Sequence, residues 1–69
     1  MKERDIFARN LFQLRSARDL SQEELGFRAD LHRSTIQKLE NRKHSPTLKN
    51  LVKLAAALEV TVDELIKDR

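Results

Sequence analysis

Apolar residues along the chain recur mainly three or four positions apart, the spacing that places side chains on one face of an α-helix. Near the N-terminus, Phe7, Leu11 and Leu14 keep this spacing, with Ile6 beside them. They predict a first helix over about residues 4–18. The pattern breaks immediately afterwards.

The next segment predicts two short helices joined by a tight turn. Ser21 is a favourable N-cap, and Glu24 three residues later completes a capping box, so a second helix covers about residues 22–29. Asp30 follows, and aspartate tolerates the left-handed backbone conformation better than most residues. A third helix spans about residues 33–41.

The third predicted helix has two different sides. At about 100° per residue, Ile36, Leu39 and Glu40 fall on one side. The opposite side and its flanks are polar or basic, and carry Arg33, Ser34, Thr35, Gln37 and Lys38. This layout is typical of a helix that lies in the major groove of DNA.

Two more helices complete the chain. Thr47 is a plausible N-cap for a fourth helix over about residues 48–58. Its apolar set is Leu48, Leu51, Val52, Leu54, Ala55 and Leu58. Thr61 with Glu64 predicts a second capping box, followed by a short fifth helix that carries Val62, Leu65 and Ile66.

Composition favours a compact, all-α, five-helix fold. The 69 residues suffice for one domain, 1–69, with a core over about residues 6–66. Glycine and proline occur once each, which leaves little turn chemistry for a sheet. There is no cysteine, and His32 and His44 stand apart, so we expect neither a disulfide nor a metal site, and no cofactor.

The sequence also limits location and activity. No apolar run approaches the ~20 residues of a membrane span, and the charged N-terminus leads into no signal-peptide segment. We therefore expect a cytoplasmic protein associated with the nucleoid. The acidic residues show no paired-carboxylate arrangement, and no nucleophile–base set exists, so an enzyme is not expected.

Charge is distributed unevenly. The formal net charge is +3. Residues 28–53 hold seven basic and two acidic groups, net +5, whereas the remainder holds seven basic and nine acidic groups, net −2. This asymmetry suggests a surface that meets a polyanion, although an ordinary solvated face would also explain it.

Several segments, in order, resemble the lambda-repressor/Cro-like helix-turn-helix family, also called XRE. They are Leu14-Arg15, Ser21-Gln22-Glu23-Glu24-Leu25, Ile36-Gln37-Lys38-Leu39-Glu40-Asn41, Pro46, and Leu54 to Leu58 followed by Val60 to Ile66. The resemblance covers about residues 6–66. It implies a lambda-repressor-like domain with the helix-turn-helix at its second and third helices, acting as a transcriptional regulator on double-stranded DNA.

Two positions depart from the family pattern. Gly26 stands where the family usually has alanine, and it costs about 1 kcal/mol of helix propensity. Asp30 stands where the turn usually has glycine, which predicts a left-handed aspartate and mild strain. Both departures are expected to lower stability.

The resemblance places Arg33, Ser34 and Lys38 at base-reading positions. Arginine can donate two hydrogen bonds to guanine O6 and N7, and Gln37 could pair with adenine N6 and N7 in the same way. In similar proteins Gln22 and the adjacent helix N-terminus hold a DNA phosphate, which matches the attraction of unpaired N–H groups for anions. The other predicted contacts to the sugar-phosphate backbone are His32, Thr35, Asn41, Arg42, Lys43 and Lys49.

Arg15 and Glu40 form a separate pair. Glu40 lies on the inward side of the third helix, where an unpaired charge would be costly. The family carries an ion pair between these positions, so we assign both residues a structural role. Neither is expected to read DNA.

A single module covers only a short half-site, so a homodimer on an inverted repeat is expected. The predicted interface comprises Val60, Val62, Leu65 and Ile66, although all four could instead complete the core. Similar short chains include phage repressors, antitoxins and controller proteins of restriction–modification systems. Residues 32–35 bear some resemblance to the controller proteins. RNA polymerase or a toxin are candidate protein partners.

Two other functions remain open at this point. The fold could serve as a protein-interaction module, or as an antitoxin whose main partner is a protein. The chain could also bind nucleic acid without sequence preference, in which case its affinity would be salt-sensitive and nonspecific. The polar and basic outer side of the third helix, together with Gln22, favours DNA binding over the protein-interaction role.

Overall fold

The computed structural model describes residues 2–68. It contains five helices: α1 (Glu3–Ala17), α2 (Gln22–Ala29), α3 (Arg33–Glu40), α4 (Leu48–Leu58) and α5 (Val62–Ile66). The all-α, five-helix prediction is confirmed. The predicted bounds of α2 and α4 match, α1 lies one residue earlier than predicted, and α3 ends one residue earlier, with Asn41 as its C-cap.

Side-chain caps explain where the helices begin. The Ser21 hydroxyl accepts from the Glu24 amide at 3.0 Å, and the Glu24 carboxylate accepts from the Ser21 amide at 2.9 Å, so the first capping box is confirmed. Thr47 caps α4 by accepting from the Asn50 amide. Thr61 likewise accepts from the Glu64 amide at the start of α5.

Left-handed residues end two of the helices. Asp30 closes α2 at φ 57° and ψ 46°, as predicted. Glu59 closes α4 in nearly the same conformation, at φ 57° and ψ 43°. Two further residues, Asp19 and Arg42, also have positive φ. Because left-handed backbone costs an L-residue about 1 kcal/mol, each of these connections carries some strain.

The helices enclose one apolar core. α1 packs against α3 and α5, α4 packs against α2 and α5, and α2 and α3 form the closest pair. The core consists of Phe7, Leu11, Leu14, Leu20, Leu25, Ala29, Ile36, Leu39, Leu54, Ala55, Leu58 and Leu65. Ile36 is fully buried and Leu39 is 2% exposed, which fixes the inward side of α3 and leaves its polar side to solvent.

Asn10 fastens the C-terminal segment to α1. Its side chain is 1% exposed, and its amide donates to the carbonyls of Leu65 and Lys67 at 3.0 and 2.7 Å. These two bonds satisfy carbonyls at the end of α5 that have no partner within the helix. Within residues 2–68, no helix has the length and apolar character needed to span a membrane.

The structure corrects the expectation for Gly26. A Cβ at this position would lie 2.5 Å from the carbonyl oxygen of Leu31 and 3.3 Å from the amide nitrogen of Arg33. The backbone folds back closely here because the Leu31 amide donates to the Gly26 carbonyl at 2.8 Å. Glycine therefore permits a tight α2–α3 turn that alanine would obstruct, so its presence stabilises this turn.

Candidate nucleic-acid interface

The outer side of α3 forms a continuous polar surface. Arg33, Gln37 and Lys38 are exposed, while Ser34 and Thr35 are half-buried beside them. The four predicted base-reading side chains and Thr35 thus stand on one helix whose opposite side is anchored in the core. A short, rigid helix of this kind can present its side chains to the edges of base pairs.

The first turn of α3 is organised by His32. Its Nδ1 accepts from the Ser34 backbone amide at 3.1 Å and lies 2.8 Å from the Ser34 hydroxyl. His32 is therefore the N-cap of α3. With Nδ1 accepting, the neutral ring carries its proton on Nε2, which is available as a donor to an outside group.

Arg33 pairs loosely with α2. Its guanidinium lies 3.6 Å from the Glu23 carboxylate, and both side chains are mostly exposed, at 68% and 76%. Ion pairs this exposed contribute about 0–1 kcal/mol. The guanidinium can therefore leave Glu23 for a guanine edge at little cost.

A cavity at the junction of α1, α2 and α3 collects several of the predicted backbone contacts. This helix-junction cavity has a volume of about 410 Å³ and is lined by Ala8, Arg9, Phe12, Arg15, Gln22, Glu40, Asn41 and Arg42. The sequence predicted Gln22, Asn41 and Arg42 as backbone contacts but not that they share one concave site. It gave no role to Ala8, Arg9 or Phe12.

An ion pair forms the floor of this cavity. Arg15 donates from Nε and Nη2 to the two oxygens of Glu40 at 2.7 and 3.0 Å, and from Nη1 to the Leu20 carbonyl at 2.7 Å. The hydrogen bond to Glu40 is the main reason that the pKa of Arg15 is raised. The side chains of Arg15 and Glu40 are only 13% and 6% exposed, so this pair fastens α3 to α1.

Gln22 is tied to the same pair. Its Nε2 donates to Glu40 Oε1 at 3.1 Å. An amide nitrogen has two hydrogens, so one bond to Glu40 leaves a second donor for an anion. The contact orients the side chain at the N-terminus of α2, where the helix dipole favours a phosphate.

Arg42 occupies the loop after α3 in a left-handed conformation, at φ 64°. Its Nε lies 2.9 Å from the Asp5 carboxylate, and its carbonyl accepts from Arg4 Nη1 at 3.3 Å. Arg4 Nε also donates to the Ser45 hydroxyl at 3.3 Å. The N-terminal turn of α1 thus holds the loop in place, a connection that the sequence reading missed.

The remaining predicted backbone contacts lie around this site. Lys43 and Lys49 are exposed, in the α3–α4 loop and the first turn of α4. Thr35 and Lys38 line a smaller cavity of about 290 Å³ together with His44, Ser45 and Asn50. Cationic and polar groups therefore continue from α3 across the loop to α4.

The comparisons with known proteins identify this architecture. The HTH_3 helix-turn-helix family matches residues 11–65. The chain belongs to this family. Its members are DNA-binding transcriptional regulators and not enzymes, and this chain is accordingly a DNA-binding regulator.

Three similar proteins are all control proteins. The chain is 40% identical to Control protein C.MunI of Mycoplasma sp over 63 residues, which cover 90% of this chain and 85% of the relative. It is 36% identical to Control protein C.SmaI of Serratia marcescens over 66 residues, covering 96% and 79%. The crystal structure of the restriction–modification controller protein C.AhdI from Aeromonas hydrophila superimposes with a TM-score of 0.87 at 39% identity, covering 90% of this chain and 94% of that one.

The four residues predicted to form the dimer surface differ in how exposed they are. Leu65 is fully buried in the core and offers no area to a partner, so its assignment to an interface was wrong. Val60 and Val62 are partly buried against the core, and only Ile66 of the four is exposed, at 50%. Two further exposed apolar side chains lie on α4, where Leu48 is 73% and Val52 55% exposed.

Proposed function

We propose that this regulator binds an inverted-repeat operator as a homodimer and controls the genes of a restriction–modification system. The assignment to such a system is supported by the similarity to C.MunI, C.SmaI and C.AhdI over nearly the whole chain. Specific binding is supported above all by the exposed polar side of α3 beside the helix-junction cavity. A module used only to bind another protein has no need of both.

In this proposal one group of side chains contacts bases and a second group contacts the sugar-phosphate backbone. Arg33, Ser34, Gln37 and Lys38 read base edges in the major groove, whereas the residues around the cavity and the α3–α4 loop bind phosphates and sugars. Backbone contacts set affinity and register, and base contacts set sequence preference. The two groups should therefore respond differently to mutation.

Arg33→Ala and Lys43→Ala form a matched test, since each removes one exposed cation. Arg33→Ala should lose about 1–3 kcal/mol of discrimination at one base pair of each half-site. Lys43→Ala should weaken binding to all duplexes alike and lower the slope of log affinity against log salt by about 1. Competition binding on duplexes that differ at single base pairs measures both. Unchanged discrimination in Arg33→Ala would remove it from the base-reading set.

The dimer surface in this proposal combines α4 and α5. Leu48 and Val52 are one helical turn apart and exposed, and Leu51 of the same helix lines a cavity together with Ile66. Apolar side chains in this arrangement gain by burial against a second copy. An interface there would keep both α3 helices available for half-sites about one turn of DNA apart.

Sedimentation equilibrium tests this surface. Val52→Glu should shift the protein toward the monomer and reduce binding to a two-half-site duplex, while affinity for a single half-site stays unchanged. Phe27→Glu is the matched control for self-association alone, because Phe27 is 88% exposed on α2 but lines a cavity with His32 and Arg33, where a new carboxylate would also weaken duplex binding. A Val52→Glu protein that dimerises normally would return the interface to Val60, Val62 and Ile66 alone.

The direction of regulation depends on operator position. A dimer that covers a promoter excludes RNA polymerase, whereas one bound upstream can contact the polymerase and activate it. Transcription in vitro from a template with the operator at each position distinguishes the two. If the protein binds duplexes with no sequence preference and a protein such as a toxin tightly, the regulator proposal gives way to the protein-partner role.

A further inference from the structure

Phe12 has an unusual environment for the large apolar residues of α1. Phe7 is 2% exposed and Leu11 is fully buried, whereas Phe12 is 51% exposed. It lies on the wall of the helix-junction cavity, one helical turn after Ala8 and three residues before Arg15, so these three residues form one strip of α1. Its ring therefore contributes apolar surface to a site that is otherwise polar.

The position of the ring is fixed by its neighbours. The Arg15 guanidinium lies 5.4 Å from the centroid of the Phe12 ring, within the range of a cation–π contact. The same guanidinium holds Glu40, and Glu40 accepts from Gln22. An unbroken series of contacts thus connects the ring to the amide predicted to bind phosphate.

The charges around the cavity favour an anionic ligand. Arg9, Arg15 and Arg42 line it, and Glu40 is the one carboxylate among its lining residues. Glu40 is already neutralised by Arg15 in a bidentate pair. Arg9 and Arg42 pair with Asp68 and Asp5, at 3.4 and 2.9 Å, and these ion pairs are partly exposed. Partly exposed ion pairs are weak, so both guanidinium groups can also contact a phosphate held by the Gln22 amide.

We propose that Phe12 is a DNA contact of this regulator, with its ring packed against the deoxyribose next to the phosphate bound by Gln22 and Arg42. An aromatic ring cannot donate to a phosphate oxygen, and paired bases are not accessible from the backbone side. The C–H surface of the sugar is the apolar part of the backbone within reach. The inference rests on the proposed function, since it requires Gln22 and Arg42 to meet the DNA backbone.

The sugar contact predicts a loss of affinity without a change in charge. Phe12→Ala should weaken binding about fivefold, the effect of exposing roughly 40 Å² of apolar surface in the complex. The loss should be equal on preferred and unrelated duplexes, and the salt slope should stay unchanged because no cation is removed. Phe12→Leu should recover most of the affinity.

Phe27→Ala is the matched control for sugar protection, because Phe27 is an even more exposed phenylalanine that lines a different cavity, so the sugar covered by Phe12 should stay protected. Hydroxyl-radical footprinting gives a direct readout, since the radical attacks exposed deoxyribose. In Phe12→Ala one sugar at each bound module should lose protection while protection elsewhere persists. Thermal unfolding of each variant separates a loss of binding from a loss of fold, and Phe12→Leu keeps the test valid if Phe12→Ala unfolds.

Three outcomes would overturn the proposal: wild-type affinity in Phe12→Ala, an unchanged footprint, or a loss confined to one base pair of a preferred sequence. Because a sugar contact does not depend on sequence, the test also works on a random duplex. The absence of sequence preference in the wild type would therefore refute the proposed regulator without refuting the Phe12 contact.

Discussion

Replacing Arg15 by methionine removes the guanidinium that neutralises Glu40 but keeps most of the apolar stem. The carboxylate of Glu40 would then remain 6% exposed with only the Gln22 amide as a side-chain donor, and the Leu20 carbonyl would lose its bond to Arg15. Removing one partner of a buried ion pair costs about 3–5 kcal/mol. A domain of 69 residues has a total free energy of unfolding of about 3–10 kcal/mol, so the variant should lose at least about a third of its stability.

The double variant Arg15→Met/Glu40→Leu distinguishes the net contribution of the ion pair from the cost of leaving one charge buried without its partner. With both charges gone, no buried carboxylate remains, and an apolar pair of similar size can be as stable as the ion pair. We expect the double variant to be only about 1–2 kcal/mol less stable than the wild type, chiefly through the lost bond to Leu20. The two substitutions should therefore be strongly non-additive.

Urea unfolding followed by circular dichroism measures all four proteins of the cycle. Glu40→Leu alone should also be costly, because it leaves the Arg15 guanidinium buried without its partner. Two results would refute the reasoning. One is a cost below about 1 kcal/mol for Arg15→Met, which is the range of exposed pairs. The other is a double variant whose loss equals the sum of the two single losses.

Three further predictions concern single positions. Gly26→Ala should lower the free energy of unfolding by about 1–2 kcal/mol, because the clash of the new Cβ with the Leu31 carbonyl outweighs the gain in helix propensity. A variant more stable than the wild type would contradict the close approach of the Leu31 carbonyl to Gly26. The hydrogen bonds from the backbone and hydroxyl of Ser21 lower the pKa of Glu24. The capping box is therefore fully stabilising above the unfolded-state pKa of Glu24, and its contribution falls as pH drops through the lower folded-state pKa. Thermal unfolding at a series of acidic pH values should show the melting temperature falling with pH in the wild type, and falling less in Glu24→Gln. Asp5→Asn should raise duplex affinity about twofold by releasing Arg42 from its pair, as measured by fluorescence anisotropy, whereas unchanged affinity would place Arg42 off the DNA.

Helix positions were largely predictable because their signals are local. Ser21 with Glu24 and the N-cap Thr47 set the starts of α2 and α4, and Asp30 set the end of α2. Each of these groups bonds the backbone within three or four residues. The resemblance to the helix-turn-helix family added the register that relates these local signals to one another.

The pair between the distant residues Arg15 and Glu40 was predictable because the family resemblance implied it, but other contacts between distant residues were not. Phe12 and Arg9 are separated from Gln22 and Arg42 by many residues, and only the packing of α1 beside α2 and α3 brings them to one cavity. The cost of a Cβ at Gly26 depends on the path of the turn, which propensity does not describe.

The apolar residues of the last two helices were the hardest to place. The apolar arc of α4 is wider than its contact with the core, so helical periodicity could not separate buried Leu54 from exposed Leu48 and Val52. In α5, Leu65 and Ile66 are neighbours of similar hydrophobicity, yet one is fully buried and the other half-exposed. The packing of α4 against α2 and α5, and of α5 against α1 and α4, decides which side chain is covered.

Selection of bound sequences from a random duplex library, with purified protein at near-physiological salt, tests the central claim most directly. An enriched inverted repeat with half-site centres about one helical turn apart is the predicted result, and its spacing would report the dimer geometry. Repeating the selection with Arg33→Ala should relax one position in each half-site. No enriched motif, together with binding that disappears as salt rises, would contradict sequence-specific regulation by this chain.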